Sequence, residues 1–108
     1  MGHTLLVPRQ HVEDIWALDA EFAVPLARAT LKIASAVKQV TNLEGLNIIQ
    51  SNGAAATQTV SHLHVHIVPR WRGDGIGNFW PPTTSYSEAE KNGVWEELLR
   101  VCTEEEAT

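Results

Sequence analysis

Cysteine is nearly absent from this chain, which has only Cys102 among its 108 residues. A single cysteine excludes an intramolecular disulfide framework and a cluster of thiolate ligands around zinc. It is typical of a reducing compartment, so we expect a cytoplasmic protein. Because Cys102 falls on the apolar stripe of an expected C-terminal helix, we expect its thiol to pack in the core.

Long hydrophobic runs and an excess of basic residues are also missing. The apolar stretches fall far short of the roughly 20 residues that a membrane span needs, and we recognise no signal peptide, so we expect no membrane association. The chain carries 8 Lys and Arg against 13 Asp and Glu, which gives a net charge of −5. Proteins that bind nucleic acids usually present a basic face, so this balance argues against a nucleic-acid partner.

The elements that the sequence does contain predict an α+β fold with an antiparallel sheet, one long helix and a C-terminal helix. A β-rich run at Thr4–Val7 forms the first strand. Apolar residues at spacings of three and four predict a helix that begins near residue 20 or at Pro25 and ends at about residue 41. A strand at 45–50 follows and forms an antiparallel hairpin with the next strand.

The C-terminal third predicts a loop and then a helix. Ser87 and Glu90 form a capping box, and an apolar stripe follows them. Glutamates near the end of the chain read as a solvated acidic tail at about residues 103–108. The length and composition predict one domain, residues 1–108.

Three of the five histidines occupy every second position within the run Ser61–Arg70. They are His62, His64 and His66, and they alternate with Leu63, Val65 and Ile67. Strict alternation of polar and apolar residues is typical of a half-buried strand, whose successive side chains point to opposite faces. The sequence therefore predicts a row of imidazoles on one face of the sheet, with the apolar residues in the core behind it.

Four interpretations of this row remain open from the residues alone. A metal site is one, although the Cα atoms of His62 and His66 would lie about 13 Å apart on an extended strand. A solvated face and a non-catalytic anion pocket are two others. The fourth is nucleophilic catalysis by the central residue, His64, because free imidazole has a pKa of about 6.5 and is largely neutral at pH 7.

The run from His62 to Val68 resembles the signature of the histidine triad family, in which three histidines alternate with apolar residues. The segment Gly2–Pro8 with His11 is similar to the Gly-His segment of that family. Two further stretches, Asn52-Gly53 and Gln58–Val60, resemble its loop before the triad. The likeness covers about residues 2 to 82.

This resemblance implies a homodimer that cleaves or transfers at the α-phosphate of a nucleotide-derived small molecule, without a metal or other cofactor. It implies that His64 is the nucleophile and becomes nucleotidylated. His62 and His66 would orient it and contact phosphate oxygens or the leaving group, and His3 would support the triad from the neighbouring strand. The substrate would be held by the loop residues Ser51, Asn52, Gln58 and Thr59.

The chain departs from the family pattern at several positions. Ser51 replaces the usual Asn or Gln, and Thr57 replaces the usual Gly. The segment that precedes the Gly-His motif in relatives, including the Cys-x-x-Cys zinc site of some members, has no counterpart, so we expect His11 to be structural. An alternative function is therefore a weakly catalytic or non-catalytic protein that binds nucleotides or regulates a partner.

The aromatic and basic residues after the triad allow two interpretations each. We expect Trp71, Phe79 and Trp80 to pack against the sheet edge or a second subunit, with stacking on a base as the alternative. We expect Arg70 and Arg72 to be solvated, with steering of phosphates as the alternative.

Overall fold

The computed structural model describes residues 1–106. Its strands and helices are β1 (Thr4–Leu6), α1 (Ala20–Thr41), β2 (Gly45–Ile49), β3 (Val65–Arg70) and α2 (Glu88–Glu106). Single 3-10 turns lie at Ile15–Ala17 and Ala54–Ala56. The α+β class and the two expected helices are confirmed. The chain divides into two compact units, one ending at Ile76 and one beginning at Gly77, and the assignment of a single domain stays a prediction.

The sheet of the first unit places β3 in the centre, in the order β1-β3-β2. Both pairings are antiparallel, so the predicted hairpin of β2 with the histidine strand is confirmed. Ile67 lies opposite Thr4 on one side and opposite Ile48 on the other. The residues of β3 therefore define the two faces of the whole sheet.

Helix α1 begins at Ala20, the earlier of the two predicted starts, and ends at Thr41. Pro25 lies inside the helix, where its missing N–H removes one backbone hydrogen bond. Asn42 ends the helix in the left-handed conformation, with φ 53° and ψ 44°. Asparagine tolerates this conformation better than most residues, which explains the sharp stop before β2.

The core of the first unit lies between α1 and one face of the sheet. Its centre consists of Val37 from α1 and Val65 and Ile67 from β3. Partly buried apolar residues surround them: Leu6, Leu26, Ile33, Leu43 and Leu46. Leu63, just before β3, is also buried, with 1% of its surface exposed. The apolar half of the alternating run therefore anchors β3 against the long helix, as the sequence predicts.

The second unit contains α2, which begins after Ser87. The Ser87 hydroxyl accepts a hydrogen bond from the backbone N–H of Glu90 at 3.1 Å, so the predicted cap is confirmed. The helix continues to Glu106 and includes most of the expected acidic tail, while 107–108 lie outside the described residues. Arg100 bonds Glu104 one turn later at 2.8 Å, which supports this continuation.

Two sequence expectations about α2 have different outcomes. Cys102 is exposed, so the prediction that it packs in the core is wrong. The apolar stripe correctly indicated which side chains share a helix face, but it does not show what covers that face.

Within residues 1–106, no helix is both long and apolar enough to cross a membrane.

Candidate active site

The site begins with a contact between the start of β1 and the middle of β3. Leu5 lies opposite His66 in the ladder, so His3, two residues earlier, shares the face of His66. His3 Nε2 lies 2.9 Å from His66 Nδ1, and one of these nitrogens donates a hydrogen to the other. Gly2 precedes this pair with φ 85°, and a Cβ at that position would lie 2.7 Å from Thr41 Cγ2. A glycine is therefore needed where the chain crosses the end of α1.

The His64 ring is anchored by the backbone carbonyl of His62. Its Nδ1 lies 2.8 Å from the carbonyl oxygen of His62. A carbonyl can only accept, so Nδ1 carries the hydrogen, and in the neutral ring Nε2 keeps its lone pair. The His64 and His66 rings are 4.9 Å apart with an interplanar angle of 72°. The two half-buried rings therefore meet edge to face, and the nitrogen of a neutral His64 that carries no hydrogen is Nε2.

The His62 ring departs from the predicted row of imidazoles, because it contacts Pro8 and His11 instead. Its Nε2 donates to the carbonyl oxygen of Pro8 at 3.1 Å, and its ring lies 5.4 Å from that of His11. The sequence predicts a strand over Ser61–Arg70, whereas β3 begins only at Val65. His62 lies before the paired residues of β3, so the strand does not direct its imidazole to the face that carries His66. The contact that the structure describes between His62 and His64 is made by the His62 backbone carbonyl oxygen.

Burial and neighbouring imidazoles lower the pKa of His66. Desolvation is the largest cause, followed by the proximity of His64 and then of His3. A second positive charge among closely spaced imidazoles is unfavourable, so this ring stays neutral at pH 7. When His3 Nε2 donates to His66 Nδ1, the single hydrogen of a neutral His66 lies on Nε2 and is available for an anionic group.

Gln58 holds the loop that leads into the triad. Its Oε1 accepts the backbone N–H of Gly53 at 2.7 Å. Its Nε2 donates to the carbonyl oxygens of Glu13 at 2.8 Å and Val60 at 3.0 Å. One side chain therefore closes the 53–58 turn and ties it to the segment before α1.

Asn52 has a similar role one residue before this turn. Its Oδ1 accepts the backbone N–H of Ile15 at 2.7 Å. Its amide also exchanges two hydrogen bonds of 2.7 Å with the side chain of Gln50. The sequence singled out Asn52 but not Gln50, whose position at the end of β2 gave no signal. Of the other two predicted loop residues, Ser51 is half-buried and Thr59 is exposed.

The same loop contains two residues with unusual backbone conformations. Thr57 is left-handed, with φ 69° and ψ 22°, although it is β-branched. Gly53 has φ 88° and ψ 155°, a region that is essentially restricted to glycine. A strained residue such as Thr57 persists where the surrounding structure holds it, and here the backbone N–H groups of Thr57 and Gln58 donate to the carbonyl oxygens of Ala54 and Gly53.

Arg70 ends β3 in an ion pair, so the expectation that it is solvated is wrong. Its Nε lies 2.7 Å from Asp74 Oδ2, and its Nη2 lies 3.2 Å from Oδ1. Its Nη1 donates to Asn47 Oδ1 at 2.8 Å. The hydrogen bonds from Arg70 and from the N–H groups of Trp71 and Ile76 hold the pKa of Asp74 well below its usual range. The sequence pattern did not indicate this pairing, because the carboxylate comes from the turn after the strand.

The aromatic residues after β3 belong to both units. Trp71 is half-buried, and its indole N–H donates to the carbonyl oxygen of Asn42 at 3.3 Å. This contact agrees with packing near the sheet edge rather than with base stacking. Trp80 belongs to the second unit and is 81% exposed.

Across residues 1–106, no three His, Cys, Asp or Glu side chains are grouped so that they could hold a metal ion.

The fold and the histidine cluster define a histidine triad protein. Residues 1–73 match the model of the HIT domain, and the chain belongs to this family. The prediction made from the triad and its flanks is therefore confirmed.

Two curated relatives and one solved structure show how far the similarity extends. The chain is 41% identical over 80 residues to Protein hit of Bacillus subtilis, covering 73% of this chain and 55% of that protein. It is 32% identical over 81 residues to the adenosine 5'-monophosphoramidase of Schizosaccharomyces pombe, covering 74% and 58% respectively. The chain thus spans just over half the length of these relatives. A crystal structure of a HIT family member from Bacillus subtilis superposes with a TM-score of 0.81 at 34% identity, covering 92% of this chain and 72% of that one.

Proposed function

We propose that this chain is a nucleotidyl hydrolase or transferase that attacks the α-phosphate of nucleoside phosphoramidates, dinucleoside polyphosphates or related conjugates. One observation carries the proposal: the Nδ1 hydrogen of His64 is committed to the His62 carbonyl, which leaves Nε2 as a nucleophile beside His66. The similarity to an adenosine 5'-monophosphoramidase supports the phosphoramidate as the first substrate to test.

The proposed reaction has two steps. In the first, His64 Nε2 forms a bond to the α-phosphorus while the bond from phosphorus to the leaving nitrogen breaks. The leaving nitrogen takes up a proton from solvent, and the nucleotide stays on the ring. In the second step, water attacks the phosphorus, the bond to Nε2 breaks and the water proton returns to solvent. The products are a nucleoside monophosphate and free His64.

The other histidines stabilise this path. His66 donates a ring N–H to a phosphate oxygen, which is favourable because negative charge builds up there in the transition state. His3 supports His66 through the 2.9 Å contact, in which His3 Nε2 donates to His66 Nδ1 and leaves the His66 hydrogen on Nε2. His62 orients His64 through its carbonyl oxygen, and its ring holds the Pro8 segment in place.

The four loop residues divide into two groups. The side chains of Asn52 and Gln58 are engaged within the protein, so they shape the loop that receives the phosphate. Ser51 and Thr59 offer hydroxyl groups, and Thr59 together with nearby backbone N–H groups contacts the phosphate. We further propose that the chain acts as a cytoplasmic homodimer with a small nucleotide-derived substrate.

Intact mass spectrometry tests the nucleophile directly. The wild-type chain is mixed with adenosine 5'-phosphoramidate and quenched without acid, because N-phosphorylated histidine is acid-labile. We expect one added adenosine monophosphate in the wild type and none in His64→Ala. The matched control, His11→Gln, removes the one histidine outside the proposed four and keeps the adduct.

The adduct experiment, a turnover assay with chelator and zinc, and calorimetry each have an outcome that would contradict the proposal. Turnover that is abolished by a chelator and restored by zinc would contradict free imidazole as the nucleophile. An adduct that persists in His64→Ala would assign the nucleophile to another residue. Binding of adenosine monophosphate in calorimetry without adduct or turnover would favour the alternative, a nucleotide-binding or partner-regulating protein.

A further inference from the structure

The residue just before β1 packs against the end of α1, while its neighbour belongs to the histidine cluster. A Cβ built at Gly2 would lie 2.7 Å from Thr41 Cγ2 and 3.3 Å from Pro69 Cγ. One peptide unit further along, His3 lies on the face of the sheet that carries His66. A change in the packing at Gly2 therefore reaches His3 directly.

The end of α1 is fixed, so it cannot easily move away from Gly2. The Thr41 hydroxyl donates to the carbonyl oxygen of Val37 at 2.8 Å, and Val37 belongs to the core. This bond holds the Thr41 side chain with its methyl group near Gly2. The carbonyl oxygen of the next residue, Asn42, accepts the indole N–H of Trp71 at 3.3 Å, which ties the helix end to the segment after β3. A side chain at position 2 would therefore displace the start of β1 rather than the helix.

The required displacement is large enough to break the contact between the two histidines. Carbon atoms in optimal contact are about 3.5–4.0 Å apart, so a methyl group at position 2 would move the start of β1 by about 1 Å. The hydroxyl of Thr4 donates to the Gly2 carbonyl oxygen at 3.0 Å, so this residue would be drawn along with Gly2. The nitrogens of His3 and His66 are 2.9 Å apart, and a contact that lengthens by about 1 Å is no longer a hydrogen bond.

We propose that Gly2 is a positioning residue, which keeps His3 Nε2 within donating distance of His66 Nδ1 by fitting closely against the end of α1. This inference rests on the proposed function, in which the Nε2 hydrogen of His66 is donated to a phosphate oxygen. Gly2 acts through His3 and does not contact the substrate. The end of the long helix thereby contributes to the site from the opposite side of the sheet.

Imidazole ¹⁵N spectra of Gly2→Ala test the inference without substrate, because they distinguish ring nitrogens that carry a hydrogen from those that do not. In the wild type at pH 7.5, we expect the His66 hydrogen on Nε2 alone. In Gly2→Ala we expect it to be shared between the two ring nitrogens, as in His3→Ala. Burial, His64 and His3 lower the pKa of His66, in that order. The titration midpoint of His66 should therefore rise in Gly2→Ala toward its value in His3→Ala.

Gly75→Ala is the matched control for the effect of alanine on the backbone. Gly75 has φ 78°, close to the 85° of Gly2, and no atom lies within 4 Å of a Cβ built there. The two substitutions therefore introduce similar backbone strain, but only the one at Gly2 also creates a steric clash. We expect Gly75→Ala to keep the wild-type hydrogen position and titration midpoint of His66.

Thr41→Ser separates the steric clash from the backbone strain at Gly2. Serine keeps the hydroxyl group and removes Cγ2, after which the nearest atom to an alanine Cβ at position 2 is Pro69 Cγ at 3.3 Å. We expect Thr41→Ser alone to resemble the wild type. Gly2→Ala with Thr41→Ser should place the signals of His66 between those of Gly2→Ala and the wild type. If circular dichroism shows that Gly2→Ala does not fold, this double variant is compared with His3→Ala, and it should lie closer to the wild type.

The rate at which His64 is adenylylated by adenosine 5'-phosphoramidate gives a second measurement. We expect this rate to fall about tenfold to a hundredfold in Gly2→Ala, since a misplacement of about 1 Å can cost a factor of this size. Gly75→Ala should keep the wild-type rate.

The outcomes separate this inference from the proposed function. A Gly2→Ala variant with the hydrogen position and titration midpoint of wild-type His66 would overturn the positioning role. A double variant that shows no recovery would overturn the part given to the Thr41 methyl group. If the wild type forms no adduct, the proposed function fails, while the ¹⁵N spectra still decide whether Gly2 positions His3.

Discussion

The left-handed Thr57 allows a quantitative test of the loop that precedes the triad. A β-branched residue in this conformation loses about 1–2 kcal/mol relative to an unstrained one. Replacement by glycine removes this cost but adds about 0.4–1 kcal/mol of conformational entropy to the unfolded chain. The hydrogen bond from the Thr57 hydroxyl to the Ala56 carbonyl is exposed, so its loss has a small effect. We therefore expect Thr57→Gly to raise the free energy of unfolding by about 0.5–1 kcal/mol.

Gly53 supplies the matched control in the same turn. No atom lies within 4 Å of a Cβ built at this position, so Gly53→Ala acts only through the backbone. Its φ of 88° and ψ of 155° are unfavourable for alanine. We expect a net loss of about 1–2 kcal/mol, opposite in sign to the effect at Thr57.

Urea unfolding followed by tryptophan fluorescence measures both variants, and calorimetry gives the thermal midpoints. For Thr57→Gly we expect the midpoint to rise by about 2–8 °C, as for other domains of this size. A Thr57→Gly variant that is less stable than the wild type would refute the reasoning from strain. A Gly53→Ala variant of wild-type stability would do the same.

Two further predictions concern pH. The lowered pKa of His66 means that the unfolded chain takes up a proton more readily, so stability falls as the pH drops below about 6.5 and through the folded-state pKa. The urea midpoint of His66→Gln should therefore fall less than that of the wild type between pH 7.5 and 5. Equal falls in the two proteins would contradict the role given to His66. The lowered pKa of Asp74 stabilises the folded chain above about pH 4, and the effect is lost as the pH falls through the folded-state pKa. Asp74→Asn should therefore lower the urea midpoint at pH 7, and the difference from the wild-type midpoint should become smaller only below about pH 4. A difference that does not change with pH would exclude the Arg70 ion pair as its source.

The sequence predicted the positions of the apolar residues in the alternating run better than those of the histidines. Leu63, Val65 and Ile67 are buried because the period of an extended chain determines which side chains enter the core. The direction of His62 could not be read in the same way. Its ring is set by the Pro8 carbonyl and His11, which are distant in sequence and not part of the ladder.

The outcomes at Arg70 and Cys102 have a related physical reason. Arg70 is fixed by a carboxylate in the following turn, and the composition of a loop does not reveal which acceptor its fold will present. Cys102 was correctly placed on an apolar stripe, but periodicity does not tell whether the chain itself covers that stripe. Family resemblance likewise identified Asn52 and Gln58 as important without showing that their side chains bond the protein.

The anchoring of His64 by a main-chain oxygen has a consequence for how its reactivity can change over evolution. Every residue type at position 62 would still supply that carbonyl oxygen, whereas an anchor made by a side chain could be lost through one substitution. The choice of reactive nitrogen is thus encoded in the path of the backbone. A change of ring tautomer would require a rebuilt turn, whatever the His62 side chain does for the Pro8 segment.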